Sequence, residues 1–183
     1  MLTCSKLISG GKGLAQALIK RAPTVSLDWD VRQKSRFQTQ DSRGRVLSVF
    51  LQRGHVVRGG DVLVADDGSL VKVEAAPQTL LRITACTAHG SPFDLTRAAD
   101  HLGNRHVPIE LKPDHLKIEP DSVLADMLRS MHLIVNTVDE AFEPEGGAYS
   151  SHHGGSGHQH DHSHDHGQGH AHLDAHGHSG HEH

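Results

Sequence analysis

The sequence predicts an α+β protein in three parts, and three observations support this prediction. Residues 1–76 contain short runs rich in Val, Leu and Phe, separated by turn-forming residues, which is typical of strands. Residues 77–148 alternate strand-like runs with two segments of helical periodicity. From residue 149 onward apolar side chains almost vanish. We therefore expect an all-β N-terminal domain (1–76), a second domain of mixed elements (77–148) and a disordered histidine-rich tail (149–183).

Five strands are expected in the first domain, over 25–29, 35–40, 46–51, 61–65 and 70–75. The intervening stretches Asp-Ser-Arg-Gly, Arg-Gly-Gly-Asp and Asp-Asp-Gly-Ser supply residues that adopt positive φ in tight turns. A small sheet or barrel would follow from this pattern.

Two features of the first domain invite a functional interpretation. The run Gly10-Gly11-Lys12-Gly13 suits a phosphate, but it lacks the spacing of a Walker loop and no strand is predicted before it, so a mobile turn is expected. Arg32, Lys34 and Arg36 alternate, and in a strand they would share one face. Such a face is either simply solvated or a docking surface for an acidic partner segment.

The second domain begins with a strand predicted over 79–85. A helix is expected to start at Ser91-Pro92-Phe93-Asp94, because Pro suits the first turn and an acid suits the positive end of the helix dipole. It should end near Gly103, since glycine adopts the left-handed cap conformation easily.

The rest of the second domain predicts a hairpin, a helix and a closing strand. The hairpin would pair 107–111 with 115–118, and Pro120-Asp121-Ser122 would open the helix. Residues at helical spacing in that helix are predicted to be core, namely Val123, Leu124, Met127, Leu128 and Met131. A strand over 133–138 completes a βαββαβ order, which is the ferredoxin-like arrangement.

Composition excludes several classes of function. Four of the 22 acidic residues lie in the tail, so the other eighteen balance the eighteen Lys and Arg, and the net charge of −4 resides in the tail. No basic field therefore favours nucleic acid. We expect no membrane span, no signal peptide and, with only Cys4 and Cys86, no disulfide framework, which together predict a cytoplasmic protein.

The tail is predicted to bind metal ions. It contains thirteen of the nineteen histidines and no Lys, Arg or Cys. Imidazole suits Ni(II), Cu(II) and Zn(II), and closely spaced histidines can share one ion. The predicted tail ligands are His152, His153, His158, His160, His162, His164, His166, His170, His172, His176, His178, His181 and His183.

Six histidines lie outside the tail, and two of them stand out. His101 falls in the predicted last turn of the first helix, and His106 follows in Gly-Asn-Arg-His. One imidazole makes a poor site, but a symmetric dimer would bring two copies of His106 together on its axis. For His55, His115 and His132 a surface or structural role is expected, and Cys86 with His89 forms only a weak Cys-x-x-His pair.

Three stretches carry a resemblance to a known family. They are Ala-Asp-His-Leu-Gly-Asn-Arg-His-Val-Pro (99–108), Val-Leu-Ala-Asp-Met-Leu (123–128) and Phe-Glu-Pro-Glu-Gly-Gly-Ala-Tyr (142–149). Together with Gly-Gly-Asp-Val-Leu (59–63), they resemble the urease accessory protein UreE family over nearly the whole chain. The resemblance implies a homodimeric nickel metallochaperone with a partner-docking N-terminal domain and a ferredoxin-like metal-binding domain.

The resemblance also implies roles for particular residues and partners. His106 of each protomer would form a shared nickel site, with tail histidines completing the coordination and His101 near the interface. Some members carry further histidines before the second helix, where this chain has Glu119, Pro120 and Ser122. The implied partners are the urease GTPase accessory protein and the complex of urease apoprotein with its accessory proteins.

Two other functions are weighed against nickel delivery. A nickel or zinc storage protein would use the tail alone and bind many ions with similar affinity. An enzyme would need Cys86 and His89 as nucleophile and base, but neither an orienting acid nor an oxyanion-stabilising loop can be assigned, so no catalytic residue and no resident cofactor are predicted.

Overall fold

The computed structural model describes residues 1–146 of the chain, and these contain two sheets. The first sheet has six strands in the order β2-β6-β5-β1-β4-β3. Strand β1 is parallel to β4 and antiparallel to β5, and β2 is parallel to β6. The strands are β1 (Leu2–Ile8), β2 (Thr24–Leu27), β3 (Arg36–Gln40), β4 (Val46–Phe50), β5 (Val62–Ala65) and β6 (Leu70–Ala75).

The prediction of an all-β first domain was wrong, because two short helices lie between its strands. Helix α1 spans Gln16–Arg21 and helix α2 spans Trp29–Arg32. The strand predicted to end at Trp29 ends at Leu27 instead. The carboxylate of Asp28 accepts a hydrogen bond of 2.8 Å from the Val31 N–H, and this N-cap starts the single turn of α2.

The glycine-rich run is a turn, as the sequence predicts, but strand β1 leads directly into it, which the sequence did not predict. A register shift between Cys4 and Lys6 interrupts the alternation along β1, which concealed the strand in the sequence. The N–H of Gly10 donates to the Asp61 carboxylate at 2.8 Å. A carboxylate thus occupies this backbone donor, and the run is a structural turn.

The prediction of a cationic strand face formed by Arg32, Lys34 and Arg36 was wrong. Arg32 lies in α2 and is fully buried, Lys34 lies in the turn that follows, and only Arg36 belongs to a strand. The alternation therefore separates one buried cation from two exposed ones.

The second sheet is antiparallel, in the order β10-β7-β9-β8. Two helices pack against it through a core that includes Leu81, Ile83, Leu102 and Leu128. The elements follow the predicted order strand, helix, strand, strand, helix, strand. They are β7 (Pro77–Ala85), α3 (Pro92–Gly103), β8 (Glu110–Leu111), β9 (Leu116–Ile118), α4 (Ser122–Ser130) and β10 (Leu133–Ala141).

Helix α3 begins and ends where its sequence predicts, but its C-terminal cap differs from the prediction. The backbone N–H of Ser91 donates to the Asp94 carboxylate at 2.7 Å, as expected for a helix start. Gly103 does not adopt the left-handed cap conformation, and the C-cap residue is Asn104 in helical geometry. The residue with positive φ is His106, at 57°. In α4 the prediction for Val123 was wrong, since it is 76 % exposed.

None of the helices in residues 1–146 is long and apolar enough to span a membrane.

Candidate metal-binding site

The backbone that closes helix α3 sets the position of His106. Its N–H donates to the Gly103 carbonyl at 2.9 Å, and the Val107 N–H donates to the Leu102 carbonyl at 3.2 Å. Leu102 is fully buried in the core of the second sheet, whereas His106 is exposed. The closing turn is thus anchored while the imidazole of His106 stays accessible to an incoming ion.

His106 adopts a backbone conformation that few side chains tolerate. A left-handed residue with a Cβ costs roughly 1–2 kcal/mol relative to the right-handed form. Such outliers concentrate at functional sites, where the surrounding structure holds them in place. Two exposed histidines meet this criterion, His106 at a φ of 57° and His132 at 63°, and the position of His106 just after the helix that carries His101 makes its turn the candidate site.

His101 lies in the last turn of α3, also exposed, as the sequence predicts. Its carbonyl accepts a hydrogen bond of 2.9 Å from the Arg105 guanidinium. This contact ties the Arg105 side chain to the end of the helix, where the partial negative charge of the carbonyls favours a cation.

Residues 1–146 contain no group of three or more His, Cys, Asp or Glu side chains that could hold a metal ion. His101 and His106 therefore form at most a partial ligand set within one protomer. The thirteen predicted tail ligands, His152 through His183, lie outside the described residues.

The last described residues run beside the His106 turn. The Glu145 N–H donates to the carbonyl of Ile109 at 2.8 Å, and the Glu143 N–H donates to the Glu110 carboxylate at 2.7 Å. The pKa of Glu110 is lowered: its burial works against this, and the bonds from the Glu143 N–H and Lys117 outweigh burial. The Glu145 N–H thus holds the end of the described chain against Ile109, three residues after His106 in the sequence.

Arg32 and Glu143 connect the first sheet to the segment 142–145. The sequence analysis did not predict this pairing. The Arg32 guanidinium donates to Glu143 Oε1 at 2.8 Å, to the Phe142 carbonyl and to the Leu27 carbonyl at 3.1 Å. Burial lowers the pKa of Arg32, and the Glu143 carboxylate opposes that effect. The group remains charged, because arginine begins from so high a pKa.

A second arginine completes this joint between the two sheets. Arg58 donates to Glu143 Oε2 at 3.3 Å and to the Pro144 carbonyl at 2.6 Å. The Arg32 and Arg58 guanidinium carbons lie 5.2 and 5.1 Å from the centre of the Trp29 ring system, and Trp29 meets Phe142 edge to face at 5.9 Å. The signal in the sequence was Asp-Trp-Asp-Val-Arg, an N-cap followed by Trp and Arg three residues apart, which suits one helical turn.

Cys86 and His89 come together at the end of β7, with Sγ and Nδ1 3.8 Å apart. The backbone N–H of Ala88 and then His89 lower the pKa of the Cys86 thiol to about 7. Both residues line a groove of about 570 Å³ with Asp94, Arg97 and His132. No acidic side chain in residues 1–146 forms a hydrogen bond with His89, so the pair lacks the orienting group of a catalytic triad.

The fold and the site define a class. It comprises two-part proteins of mixed α and β structure that expose histidine side chains at the end of a helix and on the turn that follows it.

Comparison with known proteins narrows this class. Residues 5–76 match the model of the UreE urease accessory protein N-terminal domain, and residues 78–183 match the model of its C-terminal domain. A urease accessory protein UreE from a Polaromonas species is 75 % identical over 157 residues, covering 86 % of this chain and 70 % of that protein. The protein of the same name from Albidiferax ferrireducens is 73 % identical over 158 residues, covering 86 % of this chain and 90 % of that protein. The chain belongs to the UreE family of urease accessory proteins.

Proposed function

We propose that this protein is a cytoplasmic nickel metallochaperone that captures Ni(II) and delivers it for assembly of the urease metallocentre. The exposed His106 on its strained turn carries this proposal, because it offers an imidazole that nothing in residues 1–146 occupies. Family membership supports the role in urease maturation, and residues 1–146 present no oriented nucleophile, which favours a carrier function over catalysis.

A homodimer would complete the ligand set. His106 contributes one donor for each protomer, and a twofold axis through the two closing turns would place two imidazoles around one ion. His101 would lie at the margin of that site. The second sheet with α3 and α4 would then act as the ferredoxin-like metal-binding domain (77–148), and residues 1–76 as the partner-docking domain.

The tail would collect ions and pass them to His106 by ligand exchange. Glu145 is bonded to Ile109, and His152 lies seven positions after this anchor in the sequence. Seven residues span about 25 Å at most, so the first tail histidines stay near the turn whatever path the chain takes. Such tethering raises the local ligand concentration into the millimolar range, to roughly that of a short linker.

Delivery requires partners, and we propose the urease GTPase accessory protein and the complex of urease apoprotein with its accessory proteins. The glycine-rich run of this chain is occupied by Asp61, so nucleotide would be bound by the partner. Zn(II) and Cu(II) would compete for the same imidazoles, since the Irving–Williams order favours copper.

Calorimetric nickel titration of full-length proteins tests the proposal. The wild type should bind one ion per dimer tightly and further ions weakly, and His106→Ala should lose the tight ion alone. A variant with all thirteen tail histidines changed to Gln should keep the tight ion, and His55→Ala, on another exposed loop, serves as the matched control.

The alternative function is storage or buffering of nickel or zinc by the tail. In that case the tail variant would lose all binding, and His106→Ala would behave like His55→Ala. Either result would contradict delivery from a dedicated site.

A further inference from the structure

A shallow groove of about 430 Å³ lies beside the edge of the first sheet. Its lining is Gln33, Lys34, Ser35, Arg36 and Arg53, which includes three cations and no acid. Lys34, Arg36 and Arg53 are exposed. The cationic pair foreseen at 34 and 36 is thus joined by Arg53 from a different segment, in place of the buried Arg32.

These three cations have no carboxylate partner in the described part of the chain, as is true of half of the eighteen Lys and Arg side chains. Among residues 1–146, none of them forms an ion pair, whereas Arg45, Arg82 and other cations are held by carboxylates at 2.8 to 3.9 Å. Three like charges side by side repel one another, so the arrangement costs free energy until an anion joins them.

The groove is held in shape by its backbone. The Leu51 N–H donates to the Ser35 carbonyl at 2.7 Å, and the Val57 N–H donates to the Arg32 carbonyl at 2.9 Å. These bonds tie the two segments that carry the cations, and the buried side chain of Arg32 anchors one of them to the joint. A ligand would therefore meet a preformed surface, which reduces the entropic cost of binding.

The groove continues into a free strand edge. Strand β3 is the last strand of its sheet and pairs only with β4 among the described strands. Half of the backbone N–H and C=O groups of an edge strand face outward and can pair with another strand. Phe50, which is opposite Arg36 in the ladder, is 49 % exposed and offers an apolar contact beside the charges.

We propose that this groove and the edge of β3 dock an extended acidic segment of a partner protein. The segment would add to β3 through its backbone, as in strand addition, and its carboxylates would meet Lys34, Arg36 and Arg53. A peptide fits better than a nucleic acid, because only a peptide backbone can pair with the strand edge and because the chain as a whole is negative. This proposal extends the delivery role by naming the chemistry of a partner.

The test uses full-length protein with chelator present, so its outcome does not depend on nickel binding. The probe is a fluorescent decapeptide that alternates Glu or Asp with Val, and its twin carries Gln or Asn instead. The acidic peptide should bind at least tenfold more tightly than its twin. It should also slow amide hydrogen exchange in β3.

A triple variant, Lys34→Gln with Arg36→Gln and Arg53→Gln, should lose about tenfold in affinity for the acidic peptide, since it removes three exposed charge pairs that each contribute little alone. The matched control neutralises Lys12, Lys20 and Arg21, which are exposed on or near α1, and should change affinity less than twofold. A charge-conserving triple variant, Lys34→Arg with Arg36→Lys and Arg53→Lys, should retain binding.

Three results would overturn the proposal. One is equal binding of the acidic peptide and its amide twin. Another is an equal loss in the control triple variant, which would mean that only net charge matters. The third is displacement of the peptide by a single-stranded oligonucleotide whose affinity falls more than that of the peptide when the same three cations are neutralised.

Discussion

The polar side chains at the joint between the two sheets and at the His106 turn differ in burial and in hydrogen bonding. At the joint, Arg32 is fully buried and bonds to one carboxylate and two carbonyls. At the turn, the backbone is anchored but the imidazole is exposed and has no hydrogen-bond partner within the described chain. Saturated groups give rigidity, whereas a ligand that must bind and release an ion has to remain unsaturated in the free protein.

The largest expected effect of a substitution is at the joint. Changing Glu143 to Ala should lower the free energy of unfolding by about 3 kcal/mol, because Arg32 would remain buried without its counterion. Urea denaturation monitored by the fluorescence of Trp29 measures the change. Glu145→Ala is the control, since only its backbone N–H takes part in a described bond, and it should change stability by less than about 0.5 kcal/mol. Equal effects of the two variants would show that the ion pair contributes nothing specific.

The two cysteine thiols should also differ in reactivity, because Cys4 is buried and Cys86 is partly exposed. Cys86 has a pKa lowered to about 7, so its thiolate fraction should rise about tenfold from pH 6 to pH 8, and its rate of alkylation by iodoacetamide should rise in parallel. Cys4 is fully buried, and burial raises its pKa, so it should stay unmodified in the folded protein. Peptide mass analysis separates the two sites.

His89→Ala should move the midpoint of Cys86 alkylation upward only in part, because the Ala88 N–H still contacts the sulfur. A midpoint near the ordinary value of 9.0 in the wild type would contradict the lowered pKa.

The smallest expected effect separates strain from ligation. His106→Gly should raise stability by about 0.5–1 kcal/mol, because glycine adopts positive φ without the steric cost, and it should abolish tight nickel binding. His132 also has positive φ, at 63°, and is exposed, so His132→Gly is a matched control. It should gain similar stability and keep the tight ion. Thermal unfolding measures the stability of each variant, and nickel titration measures its affinity for the tight ion. Loss of the tight ion in both variants would contradict a specific role of His106 in nickel binding.

Local signals predicted what depends on local physics. The start of α3 was predicted from Ser91 and Asp94, its end was predicted at Gly103, and four of the strands of the first sheet were predicted to within one residue. The cap of α3 was misassigned because glycine was expected to take the left-handed position. In the fold, the backbone reaches that conformation three residues later, at His106.

Long-range pairing explains the remaining errors. Arg32 looked like a surface cation because its partner Glu143 lies 111 residues away in sequence. Strand β1 was missed because its pairing with β4 and β5 compensates for an interrupted alternation. For the site, the sequence predicted that His101 lies in the last turn of α3 and that His106 follows the end of the helix. The strain at His106 and the anchoring of Glu145 at Ile109 require coordinates.

The separation between Arg32 and Glu143 also has a consequence during synthesis. At about 5–20 residues per second, roughly 6 to 22 s pass between the addition of Arg32 and that of Glu143. Throughout that interval the nascent first sheet holds an arginine whose burial site is not yet complete. The contact between Arg32 and Glu143 can therefore form only after nearly the whole second domain has been synthesised. This order couples the folding of the two halves in time.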